Sequence, residues 1–184
     1  RALSESVAAG NDYSGRKFIL DSDVDFGSAN HAPIGDDAHQ FSGMIDGCGH
    51  TIRNFTCTGS YMHLGLIGYL GLGGSVSNLT MENVSVSGNG MHIGAVAGYS
   101  EGNITNVKVS GNIDARGYMC GGIASASEGQ ITGCSFTGAI SAYGTTGGMT
   151  GYNYGIVTRC NVLADLSINY WFSSTYADLG GIVG

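Results

Sequence analysis

Apolar and polar residues alternate along this chain in short runs, and the runs return. In "NITNVKV" (103–109) the apolar positions are Ile104, Val107 and Val109, with Thr105 and Lys108 between them. "QITGCSF" (130–136) repeats the arrangement with Ile131, Cys134 and Phe136, and "IVTRCNV" (156–162) with Val157, Cys160 and Val162. Alternation of this kind predicts β-strands with one buried face. "TIRNFTC" (51–57) and "SVSNLTM" (75–81) read as earlier copies. Ile52, Val76, Ile104, Ile131 and Val157 then lead five strands separated by 24, 28, 27 and 26 residues. A second signature, small–apolar–small, appears as "LGLIG", "GAVAG", "GGIAS", "GGMTG" and "GGIVG". Its last residues fall at 68, 98, 125, 151 and 184, spacings of 30, 27, 26 and 33. Two independent anchors drifting at one period make a repeat.

No segment after residue 41 shows helical periodicity, so a parallel sheet built on crossover helices has no helices to use. Strands about 26 residues apart can then be parallel only if the chain coils. The predicted fold is all-β, a parallel β-helix with one repeat per rung and rungs stacked about 4.8 Å apart. Asn54, Asn78 and Asn106 hold equivalent places, with Gly133 and Arg159 following, and amides at one corner can hydrogen-bond along the stack. The first forty residues differ. "RALSESVAAGN" predicts a short helix with Leu3 and Val7 on one face and Gly10-Asn11 as its stop. "RKFILDSDVDF" predicts a strand with Phe18, Leu20, Val24 and Phe26 on one side. The domain reading is a capping helix and strand over 1–40 and β-helix repeats over 41–184. The chain opens on "RALSESVAAG" and ends mid-motif, which reads as a segment of something longer, truncated at its C-terminal end.

Composition narrows the picture. Gly occurs 33 times among 184 residues without a G-X-Y period, which excludes collagen, and 42% hydrophobic content argues against disorder. A net charge of −7 with only seven Lys and Arg disfavours nucleic acid as a partner. No run of about 18 apolar residues is present to span a membrane. Five cysteines, an odd count without a CxxC pair, read as small buried hydrophobes rather than a disulfide framework, with Cys134 and Cys160 in register in the core.

"FSGMIDGCGHTIRNF" (41–55), "LGLIG" (64–68) and the "GGIVG"-like returns resemble the bacterial GLUG-motif repeat proteins. "AAGNDYSGRKFILDSDVDF" and "APIG" (32–35) look like the segment that precedes such repeats. Cys48 departs from the pattern, since an Asn-like residue is usual there, and "GGIAS" is a degenerate copy. The resemblance implies a right-handed β-helix in secreted or cell-surface proteins, adhesin-like chains among them. Similar repeats accompany the catalytic domain of some immunoglobulin A1-cleaving metallopeptidases. Their zinc motif H-E-x-x-H is absent and the five histidines lack ligand spacing, so no catalytic residue is carried over.

Several clusters are candidates for chemistry. Asp21, Asp23 and Asp25 in "DSDVDFG" place three carboxylates on one strand face, where they would accept Ca²⁺ or form a solvated edge that resists pairing. His63 in "YMHLG", His92 in "GMHIG" and Cys120 in "YMCGG" stack as a soft-metal column or as side chains decorating a turn. Glu101 and Glu128 recur in "SEGNIT" and "SEGQIT" before a corner Gly, which suggests turn chemistry rather than acid–base work. The N-x-S/T sites at Asn54, Asn78, Asn83 and Asn103 read as corner chemistry, and Ser77, Thr105, Thr132 and Thr158 as an outward column. Tyr170, Trp171 and Tyr176 in "NYWFSSTY" lie in the longest repeat, either as a loop presenting aromatics to a sugar or protein or as residues under a further rung. The functional expectation is a non-enzymatic secreted or cell-surface module, an adhesin-like stalk or binding segment for host protein or glycan, joined to neighbouring domains of a longer chain. It needs no cofactor beyond the calcium that the aspartates would take. The alternative is the non-catalytic repeat portion of a secreted metallopeptidase or carbohydrate-active enzyme.

Overall fold

A computed structural model describes residues 1–169 and 178–184. The chain is a parallel β-solenoid of about six turns behind one short helix, Ala2–Ala8. Its largest sheet passes through Lys17–Ile19, Met44–Asp46, Ser75–Gly88, Asn103–Ala115, Gln130–Thr132 and Ile156–Thr158, every pairing parallel. Lys17 pairs Met44, Met44 pairs Ser75, Ser75 pairs Asn103, Ile104 pairs Ile131 and Ile131 pairs Val157, steps of 27, 31, 28, 27 and 26 residues. A second sheet stacks Ile67–Leu70, Ala97–Ser100, Ala124–Ser127 and Thr150–Asn153. A third stacks His63–Leu64, His92–Gly94, Met119–Gly121, Thr145–Gly147 and Leu179–Gly180.

Alternation along each strand places one apolar set inside. Ile45, Val76, Ile104 and Ile131 form a buried column that Val157 continues with partial burial. Ser77, Thr105, Thr132 and Thr158 run outward beside it, as alternation requires. The five cysteines are free, and Cys134 occupies the core above Val107.

The strand over 16–26 divides into Lys17–Ile19 and Val24–Asp25, which already pair with the next turn as its first rung. Phe18, Leu20 and Phe26 pack on the core while Val24 is exposed. The helix closes this end with Val7 fully buried, and Gly10, at φ +96°, turns the chain away. Tyr13 packs edge-on against Phe18 at 5.1 Å, and Phe18 lies 6.0 Å from Phe41.

The asparagines form two ladders rather than one column. Asn106 donates to the Asn78 Oδ1 (3.4 Å), and Asn78 donates to the Asp46 Oδ1 (3.1 Å), whose other oxygen meets the Lys17 Nζ at 2.8 Å. Asn83 donates to the Asn54 Oδ1 (2.6 Å), and Asn54 donates to Asp25 (2.8 Å). Asn54 therefore stacks with Asn83, because Thr51 pairs Thr80 while Ile45 pairs Val76. All four asparagines sit at φ of 52–57°, the left-handed region that Asn tolerates better than other residues with a Cβ. Replacing Asn78 by Ala forfeits both tolerance and ladder. We expect a loss of about 2 kcal/mol in urea unfolding, of which Asn78→Gly recovers about half by relieving the backbone.

Candidate binding surface

The aspartates of the first rung do not converge. Asp23 accepts from the Thr51 backbone N–H (2.9 Å), from the Arg53 Nη1 (2.9 Å) and lies 3.3 Å from the His50 Nδ1. Asp25 accepts from the Asn54 amide and the Gly27 N–H, both at 2.8 Å. These donors hold both carboxyls below their usual pKa, the Thr51 N–H leading for Asp23 and the Asn54 amide for Asp25. Protein donors face both Asp23 oxygens and the Asp25 Oδ1, and no cluster of three His, Cys, Asp or Glu that could hold a metal occurs among the described residues. Tyr170, Trp171 and Tyr176 lie outside the described residues.

A denser polar cluster sits where the second and third sheets meet. His63 pairs His92, and their rings stack 5.0 Å apart at 15°. The next member of the column is Met119, not Cys120. Gly94 aligns with Gly121, which moves Cys120 onto the core position of Ile93, where burial raises its thiol pKa. Tyr69 and Tyr99 pair in the adjacent sheet with ring centroids 4.9 Å apart. Tyr69 meets His63 edge-on at 5.5 Å, and Tyr99 meets His92 at 5.2 Å. Each tyrosine donates its hydroxyl to a carboxylate one rung further on: Tyr69 to Glu101 at 2.8 Å, and Tyr99 to Glu128. Burial and then these carboxylates push both phenol pKa values upward. On the outer side, the His63 Nε2 meets the Asp37 Oδ1 at 2.8 Å. Ser125, which stands where the repeat elsewhere has Gly98, brings its Oγ to 3.5 Å from the His92 Nδ1.

The sequence carried a signal for this cluster. Tyr follows the motif Gly at both Gly68-Tyr69 and Gly98-Tyr99, and Glu follows two positions later in the second copy. The repeated letters were visible; their meeting across two sheets was not. The arrangement locks carboxylates and rings in place, with the Glu101 and Glu128 carboxylates held by phenols and the His rings buried.

A pH dependence follows. Burial, then the neighbouring His63 ring, lowers the His92 pKa from 6.5 to about 4. The unfolded chain therefore binds a proton that the folded chain refuses, and stability falls as pH drops from about 6.5 toward about 4. Below the usual carboxylate value near 3.8, the depressed pKa values of Asp23 and Asp25 remove more. Urea midpoints measured across this range will show both falls in the native chain. His92→Phe, which keeps a ring in the stack, will flatten the first and leave the second.

A cavity near this cluster lies between the helix and the first complete turn. Its volume is about 420 Å³, and Ala8, Pro33 and Met62 supply apolar wall while Glu5, Asp36 and Tyr61 line the rest with His63. That volume is within the range of small-ligand clefts.

Residues 89–114 match the family model described as the GLUG motif. Halomucin of Haloquadratum walsbyi is 41% identical over 75 residues, which cover 40% of this chain and 1% of halomucin. A protein of Evansella cellulosilytica named "Putative Gly-rich membrane protein" is 36% identical over 106 residues, 52% of this chain and 12% of that protein. The chain thus spans only a small part of the curated relatives it matches. A crystal structure described as "a putative immunoglobulin A1 protease from Bacteroides ovatus" aligns over 93% of this chain and 78% of that one, with 20% identity and a TM-score of 0.46. Likeness at that level bears on no activity.

Proposed function

We propose that this β-solenoid, which carries the GLUG motif, is a non-catalytic module of a larger secreted or cell-surface protein, presenting a rigid outer surface to a host protein or glycan. The observation that carries the reading is the continuity of the rungs. Every described pairing in the three sheets is parallel, so outward positions recur in columns about 4.8 Å apart, with one register shift between Val109 and Gly111. Such a stack holds side chains in fixed rows without spending a core on a catalytic cleft. Relatives named as a halomucin and a Gly-rich membrane protein, each far longer than the matched segment, suit a module repeated along a surface chain.

Binding of the 184-residue chain to an array of glycans and host-matrix proteins tests the proposal. Saturable capture of one class of target is the expected result. Trp171→Ala, beside the native chain, reports whether the aromatic segment predicted from the sequence takes part. Silence across the array sinks the binding half of the proposal and leaves a passive stalk.

A further inference from the structure

The corner before the third sheet exposes a row of large apolar side chains. Met62 is 53% exposed, Met91 40% and Tyr118 76%. They occupy one column: His63 pairs His92 and His92 pairs Met119, so each lies one residue ahead of a paired position. The backbone agrees, since the His92 N–H donates to the Met62 carbonyl and the Met119 N–H to the Met91 carbonyl. The row ends at Gly144, the next position above Tyr118. At its lower end it runs into the 420 Å³ cavity, which Met62 and the 45% exposed Tyr61 both line.

That cavity has a distinct chemistry. Its carboxylates come from Glu5 and from Asp36, whose Oδ1 accepts the Ala38 and His39 N–H groups and whose Oδ2 faces no described donor. No Lys or Arg is among its described lining residues, and Arg1 lines the adjoining hollow that shares Glu5. One wall is His63, a side chain 4% exposed whose Nδ1 is buried without a hydrogen-bond partner. An apolar row leading into an acidic-walled cleft matches a ligand that sets apolar side chains along its length and cationic groups between them.

We propose that the Met62–Met91–Tyr118 row and the cavity beside it bind an extended polypeptide segment with alternating apolar and basic side chains. The inference rests on the surface-binding reading above and narrows it to protein. Two of the three row members are methionines, which offer a sugar neither a flat face nor a strong hydrogen-bonding group but adapt well to aliphatic and aromatic side chains, and Tyr118 alone supplies a ring. A row one residue wide is too narrow to seat on a lipid surface. Two rungs span about 9.6 Å, the reach of about three residues of extended chain. One basic side chain of that segment enters the cavity toward Glu5 and Asp36, and the chain's net charge of −7 favours the approach.

The test uses three probes against the 184-residue chain by isothermal titration: a decapeptide of alternating Leu and Lys, the same with Glu for Lys, and a neutral oligosaccharide of N-acetylglucosamine. We expect the Leu–Lys peptide to bind at least tenfold more tightly than either of the others. The triple variant Met62→Ser, Met91→Ser, Tyr118→Ser keeps the net charge and changes only exposed side chains, and it will weaken that binding at least tenfold. Glu5→Gln will weaken it by about threefold, as a partly screened charge contact should. Equal binding by native and triple-variant chains would mean bulk electrostatics and overturns the proposal, as does equal binding of the Leu–Glu peptide. A saccharide hit on the array without peptide binding overturns this inference and leaves the surface-binding reading standing. Silence from both removes the two together.

Discussion

Gly94→Val will abolish cooperative folding or cost more than about 3 kcal/mol in urea unfolding, because a side chain here must occupy space already taken by backbone. A Cβ on Gly94 would lie 2.3 Å from the Ala97 carbonyl oxygen and 2.9 Å from the Ala124 Cα in the next turn. Neither neighbour can rotate aside as a flexible side chain would. Gly94 is within the matched GLUG segment and on the strand that pairs Met119–Gly121. To fit a valine, the turn through 94–97 must move off the turn above it, which breaks the pairing that joins the rungs. Gly73 supplies the contrast. It is left-handed, at φ +81°, and a Cβ there would meet nothing within 4 Å. Gly73→Ala should cost only about 1 kcal/mol, the backbone preference alone. If Gly94→Val unfolds within about 1 kcal/mol of the native chain, close packing of the turns is not what the motif glycine provides.

Phe136→Ala is the second large effect, expected at about 3–5 kcal/mol. Phe136 is fully buried and sits in a column with Met81, Val109 and Val162. It is the bulkiest member, and Gly122 makes room for it: a Cβ on Gly122 would come within 2.5 Å of the Phe136 ring. The glycine and the ring are one packing unit contributed by two sides of the same turn. Truncation leaves a void that neither the Gly122 backbone nor the valines above and below can fill. The unfolding midpoint, at an unchanged denaturant slope, measures the loss. A cost below about 1 kcal/mol would show that the turn collapses onto the vacated space.

Much of this architecture was legible in the sequence, because a solenoid writes each turn in the same letters. The small–apolar–small anchors align as read: Ile67, Ala97, Ala124 and Thr150 stack in register, and Thr150 bridges Val183 in the longest repeat. The strands led by Val76, Ile104, Ile131 and Val157 align too. The second turn was misplaced. "TIRNFTC" shares its Asn with "SVSNLTM", but the true partner of Val76 is Ile45. Both corners of the large sheet require a left-handed residue, and Asn suits both, so an Asn names a corner without saying which. Asn54 and Asn78 have almost the same φ, 57° and 52°, at different corners. Two extra residues between Asp46 and Thr51 widen that turn and hide the offset; Cys48, at φ +50°, is left-handed there as Asn78 is in the turn above. His63, His92 and Cys120 failed for a related reason. A single-residue offset is invisible in letters but moves a side chain to the other face of its strand, here from the buried histidine corner to the apolar core. The Asp37–His63 contact and the Tyr–Glu pairs were not legible, since they join residues of different strands through a geometry that spacing does not encode.

The parallel stacking of the turns has a mechanical meaning as well. The hydrogen bonds that join one turn to the next lie along the axis of the solenoid, so tension applied along that axis meets them a turn at a time rather than all at once. A turn occupies about 4.8 Å while folded. Drawn out as chain, the 27 residues between Ile104 and Ile131 extend to about 90 Å. Each turn is thus a stored length nearly twentyfold its folded rise, released by a peeling force. A surface tether built of such turns would lengthen in steps under shear, yielding slack before its attachment gives way.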